Sequence, residues 1–551
     1  MSRSGLPRIE AEEILNILRS TLHFARGRWP LLAATGLFAL ALAAILLSAL
    51  GRTDGSLIYP LDDTYIHMAI ARNFAQHGVW GISNTNFSSS TSSPLWTFLL
   101  SAAFFVLGVK DWIPLALTVL IGFALIGLAY RFLRANIQKA GVQTILLCLS
   151  IAIAPLPALA FLGMEHVLHM FLMFLFIVLA SEMLARGATS KNERLLLLFV
   201  AALLCVARYE GLFVVGVAAI CFFIRGRRTY AAVLLGTALL PVTLYGLFSI
   251  SQGWFFLPNS VALKGGMTDF STMEGLRHSV GGRIFSELRT SPHLLILLVG
   301  SFLALSVQLY REGIGARGWM LILFLGALIA HLQFSRTGQL ARYEAYLVFT
   351  GSILLLVELA EALLKWFSGS SKRNLGSLAA LLAGLGVCAA PLILTGGEAL
   401  RQSALGSQNI YQQQYQTAKF LRAFGDLPVV ANDIGAVSYF SNVRIVDTQG
   451  LGTLQIARMR LARLYNTDSL GVVARKEGAK LAVVFDLWIY RDGGVPAGWK
   501  PLGGWTIHEN VVCGESSITF YATTGDSAGN VRDALARFKP QLPRGVDTTD
   551  L

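Results

Sequence analysis

Charge is scarce in this chain of 551 residues: Asp, Glu, Lys and Arg make up 14%, against a hydrophobic share of 54%. Soluble globular domains carry about 25% charged residues. That class is therefore excluded, and a mean hydropathy of +0.59 marks a polytopic membrane protein. Cysteine is also sparse. Cys148, Cys205, Cys221 and Cys388 sit in apolar runs and Cys513 stands alone in the polar tail, so there is no CxxC pair, no zinc-ligand spacing and no disulfide framework in the tail. The formal charge of +13 comes without a basic stripe interleaved with aromatics, which argues against nucleic acid as a partner. A membrane protein collects Lys and Arg at its cytoplasmic loops for orientation alone. The first thirty residues lack the short basic start and small-residue cleavage site of a secretory signal, so the run Leu31 to Leu50 is expected to be a retained anchor.

What is present is a series of apolar runs. Spans are expected at 31–50, 112–130, 143–161, 166–185, 194–207, 211–224, 230–250, 292–310, 318–334, 343–364 and 376–396, about eleven in all. Two of them, 194–207 and 211–224, fall short of the roughly 20 residues that a bilayer asks of a helix. With the N-terminus inside, the cytoplasmic loops hold nineteen basic residues, among them Arg131, Arg134, Lys139, Arg186, Arg225 and Lys365, against ten outside. The positive-inside rule requires that sense. It holds only if Pro94 to Leu107 does not cross the membrane. That stretch and the amphipathic Tyr65 to Gln76 are therefore expected to lie on the outer face, making 51–111 one structured external loop. After residue 396 the runs LPVVAND, VRIVD, AKLAVVFD and SSITFYAT, with helical stretches between them, predict a small α/β domain outside the cytoplasm. The expected division is 1–29 cytoplasmic, 30–396 transmembrane and 397–551 extracytoplasmic.

Ionisable residues gather at the external corners. Asp62 and Asp63 follow the first span; as residues opening a helix they suit an N-terminus, and as carboxylates at a membrane face they suit a general base. Met164-Glu165-His166, Arg208-Tyr209-Glu210 and Arg342-Tyr343-Glu344 fall at later external turns, where charge is costly and usually faces a cavity or a partner. LPNSVALKGG in the 251–291 loop adds Asn259 and, beside two glycines, Lys264 as a phosphate contact. One or two carboxylates, several cations and a lipid-accessible rim suit glycosyl transfer from a lipid-phosphate sugar. A carboxylate takes the acceptor proton while cations hold the departing phosphate, and one base suffices for inversion. A retaining hydrolase instead needs two carboxylates about 5 Å apart. A flippase of lipid-linked sugars is the rival from another class, although no internal repeat of the transporter kind is evident. A non-catalytic scaffold presenting the tail domain is a third reading.

The order LDDTYIHMAIARNF, SSTSSPLWTFLL, FLGMEHVLHMFL, ARYEGLF, LPNSVALKGG, ARYEAYL and NDIGAVSYFSNVRIVDTQGL resembles the GT-C superfamily of glycosyltransferases, especially the bacterial branch containing the mycobacterial arabinofuranosyltransferases. The resemblance implies a GT-C-like α-helical polytopic membrane fold in a bacterial inner membrane, its N-terminus inside, with site and C-terminal α/β domain extracytoplasmic. It further implies a polyprenyl-phosphate sugar donor, a glycan or lipid-linked acceptor, and a catalytic aspartate in the first external loop. On this chain that base is Asp62 or Asp63, with Asp62 preferred and Asp63 orienting the acceptor or binding a divalent cation of unidentified kind. Glu165, His166, Arg208, Glu210, Asn259, Lys264, Arg342 and Glu344 are the expected substrate contacts. Arg208-Tyr209-Glu210 and Met164-Glu165-His166 depart from the family's usual Arg-Pro-Glu and Met-Glu-Thr. Asp433 and Asp447 are expected in turn and strand-end roles, and Trp488, Trp499 and Trp505 in core packing.

Overall fold

A computed structural model describes residues 11–187, 189–263, 282–311, 313–367, 375–425 and 427–550. Lys264 lies outside the described residues. The expected spans all fall on helices: α1 (Ala11–Arg52), α4 (Ile113–Asn136), α5 (Ala140–Ile153) with α6 (Leu156–Phe161), α7 (His166–Ala185), α8 (Lys191–Ala207), α9 (Gly211–Ile224), α10 (Arg228–Ser251), then Pro292–Arg311, Ala316–Phe334, Ala345–Phe367 and Leu375–Ile410. Seven helices among the described residues are long and apolar enough to cross a membrane; α5 and α9 are apolar but shorter. The single span expected at 143–161 is divided at Pro155, which has no amide hydrogen to continue the ladder.

Two further helices occupy the expected external loop. In α2 (Asp62–His77) the carboxylates of Asp62 and Asp63 stand in the first turn, where the helix dipole favours negative charge, and Gly78 closes the helix at φ +69°. In α3 (Pro94–Leu107) Ser93 accepts the Trp96 amide and Pro94 opens the first turn. The two helices pack together, burying Trp96, Tyr65 and Met68, while Phe98, Phe105 and Val106 remain exposed on α3.

The helix Leu375–Ile410 does not stop at the expected boundary of 396–397. It runs on through a π-helical turn, Tyr411–Tyr415, into Gln416–Phe424, so that the polar tail is joined to the bundle by helix instead of linker. The tail holds a six-stranded sheet in the order β2-β1-β3-β5-β4-β6: β1 (Val429–Ala431), β2 (Ile445–Asp447), β3 (Leu481–Val484), β4 (Lys500–Ile507), β5 (Ser517–Ala522) and β6 (Val546–Asp550). β1 is parallel to β2 and β3; the rest pair antiparallel. The four strands read from the sequence are β1, β2, β3 and β5. β4 was hidden by Pro501, Gly503 and Gly504, residues that ordinarily mark a loop; here Gly503 takes φ +150° beside a register shift in the strand. Trp505 and Trp499 are buried in the tail's two small cores, as expected, whereas Trp488 is only partly buried.

The orientation can be checked on a cysteine-free background. Cysteines placed at Arg134 and Lys191 are expected to resist a membrane-impermeant maleimide added from outside, and one placed at Arg463 to react; labelling in the reverse sense would invert the topology.

Candidate active site

The corners expected on the outer face converge around one buried charge network. Arg208, between α8 and α9, places Nη1 2.8 Å from Glu165, which precedes α7, and forks onto Glu210 through Nη2 at 2.7 Å and Nε at 3.3 Å. Glu165 is fully buried; its other oxygen lies 3.4 Å from Nε2 of His67 on α2. Ser335 adds a hydroxyl to Glu210 at 3.2 Å. Burial alone would raise the Glu210 carboxyl, but the Arg208 guanidinium more than offsets this and holds it down at about 2. Burial pushes the His67 imidazole below its ordinary range, against the pull of Glu165. Its Nδ1 meets the hydroxyls of Thr97 and Thr91 at 2.8 and 3.1 Å.

The second cationic corner stands opposite. Arg342, 3% exposed, reaches Asp63 Oδ2 at 2.7 Å and also donates to Tyr343 and Gln339. It is delivered by an uncommon turn in which Gly338, Gln339, Leu340 and Ala341 all take left-handed backbone, φ +92°, +49°, +61° and +56°. Each non-glycine residue in that region costs roughly 1–2 kcal/mol. Leu340 and Ala341 are buried, so packing holds the turn. Glu344 serves the turn itself: it accepts the Gly338 amide at 2.9 Å and pairs with His293 at 3.4 Å.

Two cavities meet at this pair. The inner one, about 370 Å³, is walled mainly by apolar side chains, Ile66, Leu212, Phe213, Leu257 and Phe334 among them, and also reaches His67, His166, Arg208 and Glu210. The outer one, about 1030 Å³, opens between the bundle and the tail and is lined by polar groups such as Gln402, Asn432, Gln449, Arg460 and Arg463, together with Trp488. Asp63, Ile66, Arg336, Arg342, Tyr343 and Leu451 line both.

Asp62 is turned differently from its neighbour. Its Oδ2 accepts the Gly435 amide and its Oδ1 the Ala436 amide, both at 2.7 Å, at the start of the helix Gly435–Ser441. Burial, then the nearby Asp433 carboxylate, raise its pKa to about 8 despite those two hydrogen bonds. Asp433 accepts from Gln414 at 2.7 Å. Asp447 ends β2 and accepts the amides of Gln449 and Gly452, a turn-forming arrangement. Asn259 is buried away from both cavities: its amide bonds the Gly450 carbonyl at 2.7 Å and its backbone the Ser89 carbonyl, tying the 251–291 loop to the tail. Ser260 and Val261 beside it reach the inner cavity. A divalent cation does not fit this donor set as it stands. Asp62 is occupied by amides, Asp63 by Arg342 and Asp433 by Gln414, and among the described residues no three metal-ligating side chains come together.

Of the expected contacts, Asp63, His166, Arg208, Glu210 and Arg342 line the inner cavity; Asp62, Asp63 and Arg342 line the outer; Glu165, Asn259 and Glu344 stand behind them. Sequence reasoning missed His67, Arg336 and Tyr343. A signal existed for His67, which follows Asp63 by four residues and so shares its helix face. None existed for Arg336, an isolated arginine in a loop.

Comparison with known proteins adds a fold. A family profile described as "Domain of unknown function (DUF8728)" matches residues 408–521, and no curated protein matches the chain. Among solved structures, ArnT from Cupriavidus metallidurans bound to undecaprenyl phosphate superposes with a TM-score of 0.50 at 14% identity, over 90% of this chain and 99% of that one. The mycobacterial arabinofuranosyltransferase AftD is a looser likeness, TM-score 0.37 at 14% identity, over 89% of this chain and 41% of that one. The chain thus shares the polytopic helical fold of ArnT.

Asp62 generates a pH dependence of stability. Its folded pKa lies above its unfolded value of 3.8. Its contribution is therefore fully present below pH 3.8 and is lost as pH rises through about 8. In detergent the melting temperature is expected to fall between pH 5 and pH 8 and Asp62→Asn to remove that slope; an unchanged slope in the variant would refute it.

Proposed function

We propose that this chain is a membrane glycosyltransferase that moves a sugar from a polyprenyl-phosphate donor to a glycan or lipid-linked acceptor on the extracytoplasmic face. The observation that carries the reading is the Asp63–Arg342 pair at the meeting point of an apolar cavity and a polar one. A lipid-borne donor and a water-borne acceptor need such a pair of compartments, with a carboxylate where they touch. The fold shared with ArnT, a protein seen with undecaprenyl phosphate, supports the donor class. The charge asymmetry of the loops supports the face.

In this reading the donor phosphate and the first part of its prenyl chain occupy the inner cavity, and the acceptor enters from the outer. The acceptor hydroxyl attacks the anomeric carbon; its proton passes to the Asp63 carboxylate; the bond from that carbon to the phosphate oxygen breaks, and polyprenyl phosphate departs with the electron pair. Attack from the side opposite the leaving group inverts the configuration. Phosphate leaves without a general acid, provided its charge is met, and Arg336 and Arg342 on the shared wall supply that positive field. Arg208 is already saturated by two carboxylates and serves to shape the cavity.

Sequence reasoning preferred Asp62 as the base. The geometry favours Asp63, because both oxygens of Asp62 accept backbone amides while Asp63 faces both cavities and is 27% exposed. The resemblance to the arabinofuranosyltransferase branch makes polyprenyl-phosphate arabinofuranose the first donor to assay.

The purified protein, given polyprenyl-phosphate sugars and glycan acceptors, is expected to transfer sugar and release polyprenyl phosphate. Asp63→Asn is expected to slow transfer by about 10²–10⁴-fold, the usual worth of a general base, and Arg336→Gln to raise the donor KM. Transfer at full rate by Asp63→Asn would sink the base assignment. Translocation of the lipid-linked sugar without transfer would make the protein a flippase.

A further inference from the structure

The helix Gly435–Ser441 in the tail is held at both ends by α2. At its start the Asp62 carboxylate takes the two leading amides. At its end Arg72, ten residues further along α2, donates Nη1 to the Tyr439 carbonyl at 2.6 Å and Nη2 to the Asn442 side chain at 3.0 Å. The Asp62 carboxyl oxygens satisfy two of the amides that a helix start leaves without partners, and the positive charge of Arg72 matches the dipole at the other end. The fit is close: a Cβ on Gly435 would run into the Asp62 main-chain oxygen and lie 2.8 Å from its Oδ2. Tyr439 adds a third hold, its hydroxyl donating to Asp111 at 2.7 Å.

Successive residues of an α-helix point about 100° apart. With Asp62 fixed on the tail, Asp63 is fixed toward Arg342; turning or lifting the first turn of α2 would remove it from the junction. The same contact builds the outer cavity, one wall from Leu61, Asp62 and Ile66 and another from Asn432, Asp433 and Ile434. On the donor side the α2 residues Ile66 and His67 and the tail residue Leu451 contribute, but Leu212, Phe213, Leu257 and Phe334 belong to other elements and keep most of the apolar wall in place.

We infer that the C-terminal region, whose residues 408–521 match a family profile of unassigned function, works as a clamp on the transfer site: Gly435, Asp62 and Arg72 are positioning residues that set Asp63 and the acceptor cavity, while the apolar walls of the donor cavity stay in place. The inference rests on the reading of Asp63 as the base.

The test uses the full-length protein with polyprenyl-phosphate sugar as donor, measuring kcat, the donor KM and, separately, binding of polyprenyl phosphate. A misplacement of about 1 Å can cost about 10²-fold in rate. Gly435→Ala is therefore expected to lower kcat about 100-fold, and Asp62→Asn and Arg72→Gln about tenfold, with the donor KM and polyprenyl-phosphate binding within twofold of the parent protein. A parallel loss of lipid binding and of kcat in Gly435→Ala would overturn the clamp in favour of a general structural role. Wild-type kcat in both Gly435→Ala and Asp62→Asn, beside an inactive Asp63→Asn, would overturn the clamp alone. Full activity in Asp63→Asn would overturn the reading on which it rests.

Discussion

The buried guanidinium of Arg208 is the constraint to which the rest of the site conforms. A charge in that position costs several kcal/mol unless it is paired and hydrogen-bonded, and the pairing is supplied by Glu165 from the turn before α7 and Glu210 from the turn before α9. Those turns cannot shift independently without leaving a charge unmatched. His67, through Glu165, draws α2 into the same arrangement. The cations and carboxylates at these corners are thus first a frame, and only those on the frame's inner surface are available to a substrate.

This explains which residues were legible in the sequence. Apolar runs were enough for the helices of the bundle, because the bilayer imposes a length on every span separately. Asp62, Asp63, Arg208, Glu210 and Arg342 stood out because ionisable groups are rare in such a chain. Their division of labour did not, since it depends on which neighbour each meets in three dimensions: Glu165 pairs with Arg208 and His67, Asn259 bonds Gly450, and Glu344 bonds Gly338 and His293, all behind the cavities. Arg336 had no distinguishing neighbours, and Tyr343 stood inside the marked Arg342-Tyr343-Glu344 corner but was passed over because it carries no charge. β4 escaped notice because glycine and proline in a strand suggest a loop until the register shift beside Gly503 is seen.

Stability and chemistry pull in opposite directions at two places. Asp62 retains a proton far above the pH at which a free aspartate would lose it, so the fold pays for keeping a carboxylate there. The left-handed run from Gln339 to Ala341 is a second cost, offset by the burial of Leu340 and Ala341. Both adjoin the Asp63–Arg342 pair, which is where strain is retained when function requires it.

The unbroken passage from Leu375 to Phe424 has a mechanical meaning. At 1.5 Å per residue the stretch from Pro391 to Phe424 is about 50 Å long. Proline removes one rung of the ladder and makes Pro391 the natural pivot. A bend of only 5° there sweeps the far end through about 4 Å, roughly the spacing of two atoms in contact. Leverage of that size is resisted where Asp62 and Arg72 hold the tail to α2, where Tyr439 bonds Asp111 and where Asn259 bonds Gly450, so a small tilt of this helix is felt at the walls of the outer cavity.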